Sequence, residues 1–484
     1  MAQPFVEPCA SGIIAAEPCP EALGRALAPR RGMVLAACVL ASAMVFIDGS
    51  ALTVALPKLR AYFGADYATV QWILNGYVLA LASLTLAGGA LADAYGKARV
   101  LRLSCFAFGI ASVACAFAPS ASWLICARVA QGVTAAILSP TSLALIGATY
   151  PERERSRAIG VWASASALTT AGGPVLGGWL TESFGWQWVF AINPPLALIA
   201  VGLLALFAPA DRPDPRRFDV VGAALLAVAL AALAWALSEI GPGESAGGSQ
   251  MSRLPGITIA AAAVFAIVTL IAYALWERTT DHPMTPPRLL ANRAFVGLNV
   301  ATLLIYCGLS IMFFLVPFDL VERRGLSPTE AGLAFLPFTL AVGLLSRLFG
   351  AVADSIGPRI MLIAGPIGAA AAYVMLALGK PASVTFGVLA PMALLGISLA
   401  VLVAPLTASI MSALAPADEG LASGVNNTVT RIAQLAGIAL AAGVAAYSLG
   451  YWVGLTLAAV LSIAGTITVA ATVLPATAAG SRPA

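Results

Sequence analysis

The chain has 484 residues, of which 60% are hydrophobic and 10% charged, with a formal net charge of +4. A soluble domain carries roughly 25% charged residues, and a surface this poor in charge would aggregate in water, so lipid is the indicated solvent. The small net charge and the lack of a long basic tract argue against a nucleic-acid binder, and the single His282 and seven cysteines without ligand spacing argue against a metal site.

A bilayer core needs about 20 apolar residues per helix. After a tail over 1–30, the apolar runs predict fourteen spans, at 33–56, 69–91, 100–118, 122–146, 159–180, 187–208, 219–240, 255–276, 295–317, 331–351, 359–378, 383–408, 422–446 and 453–474. The first run is too long, and followed by too many others, for a cleaved signal peptide. Cys9 and Cys19 lie in the tail. Cys38, Cys105, Cys115, Cys126 and Cys307 lie inside apolar runs, where a thiol is ordinarily a small hydrophobe.

In span one, Asp48 follows the fifteen apolar or small residues from Met33 to Ile47, which cover about 22 Å as helix. This places Asp48 toward the outer third of the membrane. Burial raises a carboxylate pKa and a nearby base lowers it, so Asp48 is a candidate for binding and releasing a proton. It also reads as a structural acid capping the "GSAL" that follows.

Span two ends in "GGALADAYGKARV", with Gly89, Asp93, Gly96 and Lys97. Span ten ends in "FGAVADSIGPRIM", which repeats the pattern with Gly350, Asp354 and Gly357. Two copies at matching span ends point to internal duplication and to a latch between rocking halves. An ordinary turn carrying cytoplasmic charges is the plainer reading. Arg128 lies about six residues into span four, where a charge costs several kcal/mol unless compensated. Either the neighbouring Gln131 and Gly132 mark a polar, close-packed face for it, or it snorkels to the outer interface. Span five contains "TTAGGPVLGGWL". Gly173, Gly177 and Gly178 permit close helix approach and Pro174 bends the helix, which makes a gate helix packed on the other half or, more blandly, a structural kink.

Trp72, Asn75 and Tyr77 in span two, Gln131 in span four, and Asn299 and Tyr306 in span nine are candidates to line a substrate path, although aromatics near span ends also serve as interface anchors. No G-x-x-x-x-G-K-[ST] loop is present, so ATP is not an obvious fuel. With the N-terminus in the cytoplasm, inside segments hold 17 Lys and Arg, outside segments 6, and spans the remaining three, Arg128, Arg347 and Arg431. This bias follows the positive-inside rule and places both termini inside.

At these residues the chain resembles the fourteen-span drug:proton antiporters of the major facilitator superfamily, over nearly its whole length after residue 30. "IDGSALTVALP" (Ile47 to Pro57) is similar to the family's L-D-x-T-x-x-x-x-A-L-P, with Ser50 in the usual Thr place. The first cytoplasmic loop resembles G-x-L-A-D-x-x-G-[RK], the Arg128–Gln131–Gly132 group resembles R-x-x-Q-G, and the span-five phrase resembles G-P-x-x-G-G. "WQWVFAINPP" departs from the family's W-R-W pattern at Gln187. The usual Leu-Gln pair near the end of span nine is missing from "FLVPFDLVERRGLSP", where Asp319 lies instead.

The resemblance implies an all-α membrane protein of fourteen helices. Its parts are a cytoplasmic tail (1–30), a first six-helix bundle (31–208), a linker with two additional helices (209–276), a second six-helix bundle (277–474) and a tail (475–484). It also implies a proton-coupled antiporter, acting as a monomer in a bacterial cytoplasmic membrane, that exports a small organic compound. Proton coupling falls to Asp48 and Arg128, the latch to Gly89, Asp93, Gly96, Lys97, Asp354 and Gly357, and the gate to Gly173, Pro174, Gly177 and Gly178. The expectation is for no enzyme activity, no cofactor other than the coupling proton and no nucleic-acid partner, only lipid and solute. The nearly apolar span seven and the sparse charge of the last spans favour an amphiphilic or hydrophobic solute over a sugar. An uptake carrier on the same fold and a non-transport membrane protein are the alternatives.

Overall fold

The computed structural model describes residues 20–209, 219–238, 256–280, 289, 291–379, 383–414, 419–445 and 449–473. His282, Cys9 and Cys19 lie outside them. Among the described residues the chain is all helical, without a strand. In chain order the helices are α1 (Pro20–Phe63), α2 (Tyr67–Tyr95), α3 (Lys97–Ala116), α4 (Ala121–Thr149), α5 (Glu152–Ser183), α6 (Gln187–Ala191), α7 (Asn193–Phe207) and α8 (Val220–Ser238). They continue with α9 (Gly256–Thr279), α10 (Arg293–Phe318), α11 (Pro328–Leu333), α12 (Leu336–Ile356), α13 (Pro358–Leu378), α14 (Ala390–Ser412), α15 (Glu419–Ala445) and α16 (Gly450–Thr472). Single π-helical turns extend α10 over Asp319–Arg323 and precede α14 over Thr385–Leu389.

Short polar residues start several of these helices. Asp66 accepts from the Thr69 amide at 2.8 Å at the head of α2, Asn292 caps α10 through the Phe295 amide at 3.0 Å, and Ser327 with Glu330 forms a capping box on α11. Each satisfies an amide that the first helical turn leaves without a partner. The two repeated phrases build the same joint. Gly96 turns α2 into α3 at φ +98°, and Gly357 turns α12 into α13 at φ +88°. Both angles are ones that only glycine adopts at low cost, so the last glycine of each phrase is required by the turn itself.

Twelve described stretches are long and apolar enough to cross a membrane. Two of the fourteen expected spans are not among them. One is α5, which carries Ser164, Ser166, Thr169 and Thr170 within the expected span. The other is α8, a 19-residue apolar helix in which Ala224–Leu233 is the longest run of fully described residues. The chain is a multi-pass membrane protein. Its outward faces carry large apolar side chains such as Leu206, Leu344 and Ile467, exposed by 73%, 73% and 63%, the distribution expected where lipid rather than water is the neighbour.

The pattern of neighbours repeats along the chain. In the first part α1 packs on α5 and α7, α2 on α4, and α3 on α4 and α7. In the second part α10 packs on α15 and α16, α12 on α14, and α13 on α14 and α16. The two parts meet where α5 packs on α11 and α12 and where α2 packs on α15. Helix α8 lies against α2, α15 and α9, with Leu226, Leu230 and Tyr273 clustered on Ala82 and Leu435.

Candidate functional site

The first part of the chain encloses a polar cluster with no exposed atom. α1 supplies Asp48, α3 Ser112, α4 Arg128 and Gln131, and α7 Asn193; each is 0% exposed. Arg128 and Gln131 are three residues apart, which puts both on one face of α4. Asp48 Oδ2 accepts from Arg128 Nη1. Asp48 Oδ1 accepts from Gln131 Nε2 at 2.9 Å and from Asn193 Nδ2 at 3.3 Å. Ser112 Oγ accepts from the same two amides at 2.8 and 3.2 Å. Arg128 also donates through Nη1 to Gln131 Oε1 at 2.6 Å and through Nε to the Ile73 carbonyl at 3.1 Å.

Aromatic rings flank the guanidinium, Tyr77 at 4.1 Å and Phe190 at 5.6 Å from their centroids. Such ring faces favour a cation in place of water. The pair carries no net charge, and its remaining lone pairs are largely met by neutral amides and a hydroxyl. One donor, Arg128 Nη2, has no partner among the described residues. The arrangement has one chemical capacity in particular. A proton on Asp48 would cancel the acid and release Arg128 from its main acceptor, so protonation changes both charge and bonding at the centre of four packed helices.

The snorkelling reading of Arg128 is excluded by this geometry, because its side chain turns inward to Asp48. Gln131, expected on the substrate path, is sealed in the same cluster. Asn75 is fully buried on α2, and neither it nor Gln71 one turn earlier has a hydrogen-bond partner for its side-chain amide. Trp72 and Tyr306 are partly buried. Asn299 lies in the second part, where its Oδ1 accepts from Asn426 Nδ2 at 3.3 Å; Asn426 also donates to Thr302 Oγ1 at 3.2 Å. Sequence reasoning assigned no role to Ser112 or Asn193. Asn193 stands in the phrase "WQWVFAINPP", and an amide beside two prolines at a helix start was the available signal.

The glycines of α5 fall into two rows, because residues four apart share a helix face. A Cβ at Gly173 or Gly177 would collide with Ser50 or Ala51 of α1, within the same part of the chain. A Cβ at Gly178 would collide with the Pro328 carbonyl of α11, and one at Gly332 with the Pro174 carbonyl. Close approach to the other part therefore rests on Pro174 and Gly178. The expectation that all four residues face it is corrected for Gly173 and Gly177.

Polar contacts across the two parts gather at the same end. Glu322 accepts from Arg60 Nη1 through both oxygens, at 3.1 and 3.0 Å, and from the Tyr67 hydroxyl at 3.1 Å. Glu182 Oε2 accepts from the Thr329 amide at 3.0 Å. Asp319 is 2% exposed and pairs with Arg323 at 2.7 Å and Arg324 at 2.6 Å. Of the residues expected to form a latch, Gly89, Gly96 and Gly357 sit at the opposite end, in and beside the two glycine joints; the side chains of Asp93 and Asp354 lie outside the described part.

The model of the Major Facilitator Superfamily matches residues 38–298 and 298–484. The chain belongs to this superfamily. Several similar proteins are named as resistance proteins. The chain is 32% identical to the multidrug resistance protein Stp of Mycobacterium tuberculosis, over 88% of this chain and 77% of Stp. It is 32% identical to the puromycin resistance protein pur8 of Streptomyces alboniger, over 85% of this chain and 81% of that one. It is 31% identical to the methylenomycin A resistance protein of Streptomyces coelicolor, over 87% of each. The superfamily fold is also that of two solved transporters. A bacterial homologue of the lysosomal transporter Spinster, in an inward-facing state, matches with a TM-score of 0.64 at 18% identity over 92% of this chain and 96% of that one. A POT family transporter in complex with 5-aminolevulinic acid matches with a TM-score of 0.69 at 13% identity over 91% and 96%.

Proposed function

We propose that this superfamily member is a proton-coupled antiporter that exports a small amphiphilic or hydrophobic organic compound, and that Asp48 is the group that takes the proton. The observation that carries this reading is the buried Asp48–Arg128 pair, which a single proton would dissolve. Two-state transporters are driven by ligands that bind the two states differently. A proton on Asp48 frees Arg128 for other partners and so favours one orientation of the helices, while the organic compound favours the other. The resistance relatives support outward transport of a toxic compound, and the pairing of Pro174 and Gly178 with α11 supports a helix interface that closes tightly behind it.

On this reading α5 and α8 cross the membrane with the other twelve, giving two six-helix halves (31–208 and 277–474) and a peripheral pair (209–276). Both termini face the cytoplasm of a bacterial cell, and the Gly96 and Gly357 joints with Asp93 and Asp354 form a latch on that side. The transporter works as a monomer, with protons as its coupling ion and no other cofactor.

Inverted membrane vesicles test the proposal. Puromycin and a panel of chemically diverse antibiotics are offered with and without an imposed proton gradient. The expected result is gradient-dependent uptake by the native protein and none by Asp48→Asn at equal membrane abundance. Undiminished gradient-driven uptake by Asp48→Asn would move the coupling to another acid, and Asp319 would be the next to test.

A further inference from the structure

Arg431 lies in α15, seven residues past the start of the apolar stretch Gly424–Ala445, or about 10 Å into the membrane. Like Arg128 it donates to a glutamine three residues further on, but the acid that Arg128 has is missing. Among the described residues no carboxylate pairs with it. Its one hydrogen bond is Nη1 to the neutral Gln434 Oε1 at 3.0 Å, and its Nε is buried without an acceptor. A guanidinium held in an apolar span without an acid is expensive and marks a functional position by default.

Its surroundings on α15 are polar and half-buried. From Gly424 to Ile432 every residue of α15 is partly exposed, and this run includes Asn426, Asn427, Thr428 and Thr430 beside Arg431. α15 is also one of the helices by which the two parts of the chain meet, packing on α2. Arg431 lies close enough to Tyr77 of α2 to interact with it electrostatically, and Arg128 stacks on the ring of that same tyrosine. One tyrosine thus neighbours both the sealed ion pair and the unpaired cation.

We infer that Arg431 is a recognition point for an anionic group, a carboxylate, on the transported organic compound, with Gln434 as its neutral neighbour. A fixed cation with spare donors in a low-dielectric site attracts a carboxylate strongly and repels a lipophilic cation. The inference rests on the transport reading above but not on its proton coupling. It narrows the substrate class from any amphiphile to those with an acidic group.

Three probes with one fluorophore test it on the full-length protein in detergent: dansylglycine, an anion; dansylglycinamide, its neutral counterpart; and dansylcadaverine, a cation. Binding is read by fluorescence polarisation at neutral pH. The expected order is dansylglycine at least tenfold tighter than dansylglycinamide, with dansylcadaverine weakest. Arg431→Gln should remove that preference while changing dansylglycinamide affinity less than twofold, and Arg431→Lys should retain part of it. The unchanged neutral probe distinguishes loss of the cation from misfolding.

Equal binding of the anion and the neutral probe by the native protein overturns the inference, as does absence of dansylglycine binding or equal loss of all three probes in Arg431→Gln. Displacement of dansylglycine by dioleoylphosphatidylglycerol, but not by excess acetylglycine, assigns the anion site to lipid and overturns the solute reading. None of these outcomes bears on gradient-driven transport through Asp48, which is measured separately in vesicles.

Discussion

Arg60 and Glu322, separated by 262 positions in the chain, are joined side chain to side chain, with Arg60 Nη1 3.0 Å from one carboxylate oxygen and 3.1 Å from the other. Arg60 comes from the end of α1 and Glu322 from the π-helical turn after α10, so the bond ties the two parts of the chain where Gly178 meets Pro328. Each side chain is about 30% exposed, and a pair of this kind contributes about 0.2–1 kcal/mol. Arg60→Gln is therefore expected to raise the open population at this end by no more than about fivefold, read as faster alkylation of a cysteine introduced at Ser327. The exchange Arg60→Glu with Glu322→Arg should restore the native rate.

Asp48→Asn leaves Arg128 as a buried charge with neutral partners only. Breaking a buried pair by removing one member destabilises by about 3–5 kcal/mol. The single variant should melt well below the native protein in detergent. The double variant Asp48→Asn with Arg128→Gln should recover most of that loss without recovering gradient-driven transport. Recovery of transport together with stability would reduce the pair to a structural bond.

The two rows on α5 predict a graded series. Gly172 has nothing within 4 Å of an added Cβ, so Gly172→Ala should be neutral or stabilise by up to about 1 kcal/mol. Gly177→Ala strikes the α1 backbone and should lower thermal stability without altering cross-linking between the two parts. Gly178→Ala strikes the α11 backbone and should reduce cross-linking between cysteines placed at Lys58 and Thr329. Equal behaviour of Gly177→Ala and Gly178→Ala in both measurements would show that the rows are not distinct.

Glu182, at the end of α5 beyond the predicted span, is held below the usual 4.5 of a glutamate by hydrogen bonds from the Thr329 hydroxyl and amide and from Ser327. A depressed value means that the closed end binds the proton less readily than the open one. The contact therefore contributes fully above the ordinary value and is lost as pH falls through the lowered one. Cysteine labelling at this end should be flat with respect to Glu182 from pH 8 to about 5 and rise only in stronger acid. Glu182→Gln should remove that acid limb.

Much of this was legible in the sequence, and for a physical reason. A helix that must satisfy its own backbone in lipid declares itself as an apolar run of fixed length, so span eleven, expected at 359–378, is α13 at Pro358–Leu378. A charge within such a run needs a partner, which singled out Asp48 and Arg128. What stayed hidden depends on which helix faces which. The four-residue spacing of Gly173 with Gly177 and of Pro174 with Gly178 is plain in the sequence, but not that one row meets α1 and the other α11. Asn193 and Ser112 are ordinary polar residues until Asp48 is seen between them. Glu322 stood in a stretch noted only for its departure from the family pattern, because a π-helical turn has no periodic signature in sequence.

Helix α8 covers the junction of α2 and α15 from the lipid side, while the junction of α5 with α11 and α12 has no such cover among the described residues. The two edges of the molecule are therefore unlike for anything dissolved in the bilayer. Along one edge an amphiphile diffusing in the leaflet meets α8, whose Leu226 and Leu230 are packed inward against Ala82 and Leu435. Along the other it meets the bare seam between halves. A compound that partitions into the membrane before it is captured therefore meets two unlike edges among the described residues, one faced by α8 and one where the halves adjoin directly.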